Sequence, residues 1–482
     1  MTDVKFYKGE NIPLELHKVR VVQKLHLVPI ERRFDAIREA GFNTFQLSTK
    51  DVFLDMLTDS GTNAMSDNQI AAMFQADDAY AGSQSFFRLQ KAVEDVLGKK
   101  YLLPVHQGRA AENVIAHAFL QKGQVVITNY HFTTFLAHVL DKGGRIEELL
   151  TDEALELRST NPFKGNMDIE KLEASINRNG PENVAFLRME ASTNLIGGQP
   201  FSIANLMDVR RIADKYGLML VLDASLIGEN AYLIKQREEA WKENTMEDII
   251  KMMTNLADLV YFSARKLSSS RGGGMCTNRK EIYLKMEALV PLYEGFLTYG
   301  GISIREIEAM AVGLYETLDE TMISQSPAFI KYFVEEADKR GIPMVTPAGV
   351  LGAHVDAGGF CDHLKQTEYP AGALGAAYYL ISGVRGMERG TISSVRDENG
   401  EEILADAELL RLAFPRRVFT LSQTQYALDR LEWLYDNRRL VGGLKFYYEP
   451  PVLRFFMGKL NETSDWPEKL MAKFRKDFGN SL

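Results

Sequence analysis

The chain has 482 residues, 45% of them hydrophobic and 25% charged, which is typical of a soluble globular protein with more than one core. Its net charge of −9 argues against nucleic acid or an acidic membrane as the main partner, because both select basic surfaces. No apolar run predicts a membrane span, and residues 1–10 lack the apolar centre of a signal peptide. Cys276 and Cys361 form neither a disulfide framework nor a metal motif. We therefore expect a cytoplasmic protein.

The first half of the chain alternates between strand and helix patterns. The predicted elements are, in chain order, a strand at Tyr101–Val105, a helix at 110–120, strands at 124–128 and 184–189, a helix through Leu206, Val209, Ala213 and Tyr216 that Gly217 ends, and a strand that reaches Asp223. Such alternation predicts an α/β fold, with a mostly parallel sheet covered by helices on both faces. Ligands of such sheets bind at the carboxyl ends of the strands.

The pattern changes after about residue 310. Helices predicted at 304–320 and 327–340 lead into shorter segments, which indicates a second, smaller α+β domain. We expect the N-terminal segment to fold back onto it. The expected division is therefore 48–310 for a large cofactor-binding domain, and 1–47 with 311–482 for the small domain.

Two charged residues each follow an apolar run. Lys266 comes after Leu259–Phe262, written LVYF in the sequence, and Asp223 comes after Leu218 and the four apolar residues beyond it. Burial disfavours the ammonium form of a lysine, and a neutral lysine amine forms a Schiff base with an aldehyde cofactor such as pyridoxal 5'-phosphate, PLP. PLP also needs an acid beside its pyridine nitrogen. Either residue alone is weak evidence, since most such side chains are solvated, but together they predict a PLP site.

A third candidate is the turn formed by Gln107, Gly108 and Arg109, between a predicted strand and a predicted helix. Backbone N–H groups at the start of a helix bind phosphate, and a glycine lets the backbone approach closely. An ordinary turn between a strand and a helix has the same composition, so the pattern favours a phosphate site without establishing one.

Four longer runs resemble the β-eliminating lyases, the family of tyrosine phenol-lyase and tryptophanase. They are LTDSGTNAMS at 57–66, DAYAGS at 78–83, HQGR at 106–109 and GGQP at 197–200, within a similarity that extends from about residue 25 to 460. The resemblance implies the aspartate-aminotransferase-like fold (fold type I), PLP as the cofactor, activation by a monovalent cation such as K⁺, and a homotetramer or homodimer.

The resemblance also implies a role for each matching residue. The cofactor-binding set is Lys266 at the aldehyde, Asp223 at the pyridine nitrogen, Gln107, Gly108, Arg109 and Ser263 at the phosphate, Phe132 stacked on the ring, and Asn194 at the ring oxygen. The substrate-binding set is Arg411 at the α-carboxylate, with Thr58, Ser60, Asn194 and Phe455. The catalytic set is Lys266 for the Cα proton, Tyr80 for the leaving ring carbon, and Thr133 and Arg389 for the phenol hydroxyl, while Gly61 and Asp78 match the cation site.

Thr133, Arg389 and Phe455 fit the phenol-lyase pattern rather than the tryptophanase pattern, which has a histidine in place of Phe455 and no arginine at 389. The implied activity is a PLP-dependent carbon–carbon lyase reaction, the β-elimination of L-tyrosine or a tyrosine-like amino acid to phenol, pyruvate and ammonium.

Several residues depart from the family pattern near the cofactor. Leu226 stands where the family has an arginine, and Arg265 and Leu267 flank Lys266 in place of a lysine and an aspartate. In the cation region, Arg271 is introduced and Asp78 replaces a longer glutamate. Leu351 replaces a histidine, and His354 is out of register with that histidine. We hypothesise that the Arg271 guanidinium replaces the monovalent cation.

These departures leave two alternatives open. One is a related PLP enzyme that acts on another modified aromatic or β-substituted amino acid, with β-substitution, decarboxylation or transamination as the outcome. The other is a non-catalytic homologue. Joint retention of Lys266, Asp223, Tyr80 and Arg411 argues against the second.

Overall fold

The computed structural model describes residues 6–394, 396–397, 399–450 and 453–482. These residues form two compact units. Unit 1 comprises Ser60–Glu156 and Asn161–Gln325, and unit 2 comprises residues 6–59, Leu157–Thr160 and the described residues after Gln325. The two units therefore meet at residues 59/60 and 325/326 along the chain. The sequence predicts domain boundaries at 47/48 and 310/311, and these stay a prediction.

The strands are short and most are buried. They are β1 (Leu54–Asp55), β2 (Tyr101–Val105), β3 (Val125–Thr128), β4 (Arg145–Glu148), β5 (Val184–Glu190), β6 (Leu220–Asp223), β7 (Leu259–Ser263), β8 (Gly273–Thr277), β9 (Gly352–Asp356), β10 (Val384–Arg385), β11 (Met387–Arg389), β12 (Leu409–Ala413), β13 (Leu444–Tyr448) and β14 (Lys459–Glu462).

The α-helices range from one turn to five or six turns. They are α1 (Ile30–Glu39), α2 (Asp67–Met73), α3 (Gln84–Leu97), α4 (Gly108–Phe119), α5 (Thr133–Asp141), α6 (Ile169–Asn179), α7 (Ile203–Tyr216), α8 (Ile227–Arg237), α9 (Met246–Asn255), α10 (Ala264–Leu267), α11 (Lys280–Glu287), α12 (Leu289–Tyr293), α13 (Ile304–Glu316), α14 (Glu320–Lys339), α15 (Ala357–Phe360), α16 (Pro370–Ser382), α17 (Leu421–Asp436), α18 (Arg454–Met457) and α19 (Trp466–Phe478). Among the described residues, none of these helices is long and apolar enough to cross a membrane.

Unit 1 is built on a seven-stranded sheet with the order β2-β8-β7-β6-β5-β3-β4. Strands β3 to β7 pair in parallel, and β8 runs antiparallel to both of its neighbours. Successive residues of a strand enter different apolar clusters: Leu102 packs in one and Leu103 in the other. The sheet is therefore covered on both faces, as the near-continuous apolar strands predict.

Local sequence explains where the elements that lead to the site begin and end. Ser202 caps the start of α7 by accepting a hydrogen bond from the backbone N–H of Asn205. Gly217 ends α7 with φ +66°, a left-handed conformation that favours glycine, and thereby confirms the predicted stop. The chain then enters β6, which ends at Asp223.

Unit 2 contains an antiparallel sheet with the order β11-β12-β9. Leu410, Leu412 and Val355 lie on one face and join the apolar cluster that also contains the wholly buried α16. Because side chains alternate along a strand, Arg411 and its cross-strand partners His354 and Met387 lie on the other face. One face is thus a core face, and the opposite face carries buried polar groups.

Two helix boundaries differ from the prediction by four or more residues. The helix predicted at 304–320 ends at Glu316, and the helix predicted to begin at Pro327 begins at Glu320, so Pro327 lies inside α14.

Candidate active site

The two residues that predict a cofactor site lie on neighbouring elements of unit 1. Asp223 is the last residue of β6, where it pairs with Glu190 of β5 and Tyr261 of β7. Lys266 belongs to α10, which directly follows β7. Both therefore lie at the carboxyl edge of the parallel strands, where such sheets bind ligands.

Asp223 is buried in a dense hydrogen-bond network. Its Oδ2 accepts hydrogen bonds from Arg188 Nη2 at 2.8 Å and from the Tyr261 hydroxyl at 2.9 Å. Its Oδ1 accepts one from the backbone N–H of Ser225 at 3.0 Å. Arg188 Nε also donates to the Tyr261 hydroxyl at 2.9 Å. The carboxylate is thus held in one orientation by a buried cation and two neutral donors.

Arg188 also binds a second carboxylate. Its Nη1 and Nη2 both lie 3.2 Å from Glu190 Oε2, and the Arg188 side chain is wholly buried. Glu190 Oε1 accepts from the backbone N–H of Asn194 at 3.1 Å. Arg188 and Glu190 are not among the site residues predicted from the sequence. Their signal was present, since both interrupt the otherwise apolar run of β5.

Glu112 lies at the back of this network. Its Oε2 accepts from the Thr134 hydroxyl at 2.5 Å, and its Oε1 lies 3.5 Å from the Tyr261 hydroxyl. Burial raises the pKa of Glu112 to about 8, and the nearby negative charge of Asp223 adds to the effect. Glu112 is therefore protonated at neutral pH, and Arg188, Glu190 and Asp223 carry the cluster's ion pairs.

Lys266 is half-buried and faces an aromatic ring. Its Nζ lies 5.1 Å from the centre of the Phe132 ring. Phe132 precedes α5, whose first residue is Thr133. The structure thus places Lys266 within reach of a cation–π contact with Phe132, the residue before Thr133.

The predicted phosphate-binding turn lies against the end of β7. Gly108 begins α4, whose N-terminus has no side-chain cap. A Cβ on Gly108 would lie 2.9 Å from Ser263 Cβ, so only glycine allows this approach. The Ser263 backbone N–H donates to the Ser225 hydroxyl at 3.0 Å. Gln107 is half-buried and Arg109 is exposed. Together these residues form an open helix start beside two serines, which suits a phosphate.

The predicted cation region is occupied by arginines. The Arg271 guanidinium donates to the backbone carbonyl of Gly61, and Arg265 Nη2 lies 3.3 Å from the carbonyl of Ser60. Burial lowers the pKa of Arg265, and the neighbouring charges of Arg271 and Arg109 lower it further. Asp78 lies 3.5 Å from Arg305, so its carboxylate faces another arginine. These residues do not fit a monovalent cation bound at the Gly61 carbonyl.

Tyr80 is 72% exposed. Its ring stacks on Phe296 at 5.9 Å and meets the Tyr299 ring edge-on at 5.3 Å. A hydrogen bond with Tyr299 raises the pKa of Tyr80. In the described part of the chain it has no contact with the Asp223 network, so the structure does not place it beside Lys266, and its catalytic role stays a prediction.

Unit 2 contains the predicted carboxylate-binding arginine. Arg411 is wholly buried in β12, and its Nη2 donates to the backbone carbonyl of Leu57 at 2.9 Å and lies 2.6 Å from Met387 Sδ. Burial lowers its pKa to about 10, an effect that the charge of Asp59 opposes. Thr58, which lies between Leu57 and Asp59 in the chain, is half-buried. Arg411 is therefore not a solvated residue of its strand.

The other predicted residues of unit 2 are also buried. Arg389 lies in β11 on the same sheet face as Arg411, as does His354, whose Nδ1 lies 3.1 Å from the Gly352 carbonyl. Burial lowers the pKa of His354 to about 3, and the charges of both arginines add to the effect. Phe455 packs edge-on against Phe45 and lines a cavity of about 20 Å³.

The residues of unit 1 fit PLP. The buried carboxylate of Asp223, at the end of β6, suits the ring nitrogen, and the half-buried Lys266 amine lies over the Phe132 ring. Gly108 leaves a space beside Ser263 that a Cβ would fill. Buried Leu226 begins the turn into α8 where the family has an arginine, so this chain supplies no cation to the ring oxygen from that position.

This fold and these strand ends define a fold type I enzyme of the PLP-dependent class. The chain belongs to the β-eliminating lyase family, whose family model, described as "Beta-eliminating lyase", matches residues 55–429. It is 42% identical to the tyrosine phenol-lyase of Lacrimispora saccharolytica over 92% of this chain and 96% of the relative. It is 40% identical to the tyrosine phenol-lyase of Symbiobacterium thermophilum over 93% and 99%, respectively.

Solved structures agree with this fold. The serine palmitoyltransferase of Sphingomonas wittichii superposes with a TM-score of 0.56 at 12% identity, over 80% of this chain and 88% of that chain. SPT with PLP as an internal aldimine superposes with a TM-score of 0.55 at 13% identity, over 80% and 88%. At such identities the likeness shows the fold alone, and it confirms the expected α/β architecture.

Proposed function

We propose that this protein is a PLP-dependent carbon–carbon lyase that eliminates phenol from L-tyrosine, or from a tyrosine-like amino acid, and releases pyruvate and ammonium. The observation that carries the proposal is the position of Asp223 and Lys266 at the carboxyl edge of one parallel sheet, in a chain about 40% identical to tyrosine phenol-lyases along nearly its whole length.

The cofactor is held by residues of unit 1. When bound, PLP supplies an aldehyde that takes up an amine and a pyridinium ring that accepts the electron pair released at Cα. Asp223 binds the ring nitrogen, Phe132 covers the ring, and Asn194 bonds its oxygen. The start of α4 at Gly108, with Gln107, Arg109 and Ser263, holds the phosphate.

The chain's own residues move the protons. The Lys266 amine removes the substrate Cα proton, and Tyr80 donates a proton to the ring carbon that leaves. An aryl carbanion is a poor leaving group, so the phenol hydroxyl needs a polar partner that takes up its proton and charge. Thr133 and Arg389 have this role.

Substrate recognition falls to the guanidinium of Arg411, whose planar fork matches an α-carboxylate. Thr58, Ser60 and Asn194 add hydrogen bonds, and Phe455 contacts the aromatic ring. Burial of Arg411 supports this role, because a wholly buried cation is stabilised when an anion binds it.

We also propose that the Arg271 guanidinium serves in place of a monovalent cation. Its hydrogen bond to the Gly61 carbonyl supports this proposal. PLP affinity and activity should be the same in potassium and in tetramethylammonium buffers. The variant Arg271→Met should acquire a potassium dependence, whereas a potassium requirement in the parent protein would contradict the proposal.

Assembly and location are proposed from the family. We expect a homotetramer or a homodimer in the cytoplasm, and light scattering of the purified protein measures the mass directly. A monomer at micromolar concentration would contradict this part of the proposal without affecting the chemistry of unit 1.

The decisive experiment follows absorbance of the purified protein with PLP before and after L-tyrosine is added, with pyruvate and phenol assayed in parallel. A visible band from the lysine–cofactor Schiff base, followed by release of both products, is the expected result. A band without pyruvate would reject tyrosine as the substrate and favour another β-substituted amino acid. Absence of any band would overturn the cofactor assignment.

A further inference from the structure

Arg188 connects two carboxylates at the carboxyl edge of the unit 1 sheet. It lies 2.8 Å from Asp223 and 3.2 Å from Glu190, and none of its side chain is exposed. Its guanidinium also lies 4.6 Å from the centre of the Phe135 ring. A buried arginine in direct contact with Asp223 weakens the field that this carboxylate exerts on any other cation, including a protonated pyridine nitrogen.

Glu190 lies among three of the predicted cofactor residues. It pairs in register with Asp223 on the neighbouring strand, and it accepts a hydrogen bond from the backbone of Asn194. The positive charge of Lys266 also acts on it. Glu190 is therefore close enough to all three for its charge to act on the cofactor.

The charges of this cluster balance only when four groups are present. Glu112 and Tyr261 are neutral, because burial raises the pKa of Glu112 to about 8 and that of Tyr261 well above its usual value. Burial also raises the pKa of Glu190, while Arg188 opposes the shift. With Glu190 ionised, Arg188 faces two carboxylates, so the network can hold one further positive charge, which is that of Lys266 before the cofactor binds and that of a pyridinium afterwards.

We propose that Glu190 and Arg188 are positioning residues for the cofactor, in which the Glu190 carboxylate offsets the Arg188 guanidinium and so leaves the charge of Asp223 available to the protonated ring nitrogen. The inference rests on the proposed PLP cofactor and deepens it. Arg188 orients Asp223 through their hydrogen bond, and Glu190 cancels the electrostatic penalty that Arg188 brings. Without the Glu190 charge, Arg188 and a pyridinium would face one carboxylate, and one buried positive charge would lack a partner.

The test, called the charge cycle below, compares the parent protein with three variants: Glu190→Gln, Arg188→Met combined with Glu190→Gln, and Glu112→Gln. Each protein is depleted of cofactor and titrated with PLP while absorbance is recorded. Glu190→Gln keeps the shape of the protonated side chain and removes the charge. We expect it to weaken PLP affinity between about tenfold and a hundredfold, the size of one unit charge about 6 to 12 Å away at an effective dielectric constant of about 20. The double variant Arg188→Met with Glu190→Gln removes both charges and should regain most of the affinity that Glu190→Gln loses, with a residual loss from the missing hydrogen bond between Arg188 and Asp223.

Glu112→Gln is the matched control, because it changes a buried glutamate of the same cluster that is already protonated. Its PLP affinity should equal that of the parent protein. Thermal unfolding without cofactor, measured for every variant, reports packing defects separately from the charge effect.

Three results would overturn the inference. They are a parent-like PLP affinity in Glu190→Gln, a double variant that binds PLP more weakly than Glu190→Gln does, or an equal loss in Glu112→Gln. A parent protein that binds no PLP would instead reject the proposed function. A parent protein that binds PLP but does not convert tyrosine would leave the charge cycle fully testable.

Discussion

Arg188 in unit 1 and Arg411 in unit 2 are both almost entirely buried, and the surroundings of these two arginines differ. Arg188 of unit 1 meets Glu190, Asp223 and Tyr261. Burial lowers its pKa, but Tyr261, Glu190 and Asp223 together raise it above the ordinary value. In unit 2, burial lowers the pKa of Arg411 to about 10, and the negative charge of Asp59 opposes this shift.

The comparison separates a structural charge from a binding charge. Arg188 is neutralised by its own chain, so its role is to orient other groups. Burial of the Arg411 charge costs free energy, and the surrounding residues offset this cost less than they do for Arg188. The α-carboxylate of a bound substrate would reduce the cost. Variants in unit 1 should therefore change the cofactor and the rate of chemistry, while variants around Arg411 should change substrate affinity.

The largest effect should come from removing the amine in unit 1. Lys266→Ala should abolish the visible Schiff-base band with PLP and lower kcat by roughly 10²–10⁴-fold or more, because the base for the Cα proton is lost. Lys285→Ala is the matched control, since Lys285 also lies over an aromatic ring, 5.6 Å from the centre of Phe119. A band that persists in Lys266→Ala would reject the lysine assignment.

Tyr80 gives a second test of the chemistry. Tyr80→Phe should lower kcat by roughly 10²–10⁴-fold for tyrosine, because a general acid is removed, with little change in the PLP spectrum. Tyr299→Phe removes the hydroxyl that bonds Tyr80 and should have a much smaller effect. An unchanged kcat in Tyr80→Phe would mean that another group protonates the ring carbon.

The third test changes the binding charge of unit 2. Arg411→Lys keeps the charge but loses the planar fork, so KM for the amino acid should rise by roughly 10- to 100-fold while the PLP band stays as in the parent protein. Arg385→Lys is the control, because Arg385 is buried in the same unit but already paired with Asp55. Equal KM changes in both variants would remove the distinction between the two buried arginines.

Sequence patterns predicted the fold of unit 1 well because its elements have local signals. Apolar runs located β2, β5 and β6, and Gly217 located the end of α7. Pro327 was misplaced for a physical reason. A proline is most stable at the start of a helix, and the continuous packing of α14 in the structure overrides that preference.

The site was predictable only in part. Asp223 and Lys266 follow apolar runs and Gly108 lies in a turn between a strand and a helix, so each has a sequence signal, whereas the position of Phe132 came from the resemblance. Arg188 and Glu190 were missed because their importance depends on which strands are neighbours. Charged residues within the buried strand β5 were the available signal, but their partner Asp223 lies on β6 and only the sheet order brings them together.

The smallest expected effect compares one buried carboxyl in each unit. Burial raises the pKa of Glu112 to about 8 and that of Glu388 to about 7, with Asp223 and Glu408, respectively, adding to the shift. The unfolded chain ionises near the ordinary value of 4.5, so each group stabilises the fold fully below pH 4.5 and loses that contribution as pH rises toward its folded pKa. The loss is at most about 1.4 kcal/mol per pH unit for each group.

Chemical denaturation at several pH values can separate the two carboxyls. Of these two carboxyls, only Glu112 still titrates in the folded state between about pH 7 and 8, so Glu112→Gln should flatten the pH dependence of unfolding there, whereas Glu388→Gln should flatten it only below about pH 7. Identical slopes for Glu112→Gln and the parent protein above pH 7 would show that Glu112 is already ionised. The buried network would then contain a third negative charge, and Glu112→Gln would no longer be a charge-neutral control for Glu190→Gln.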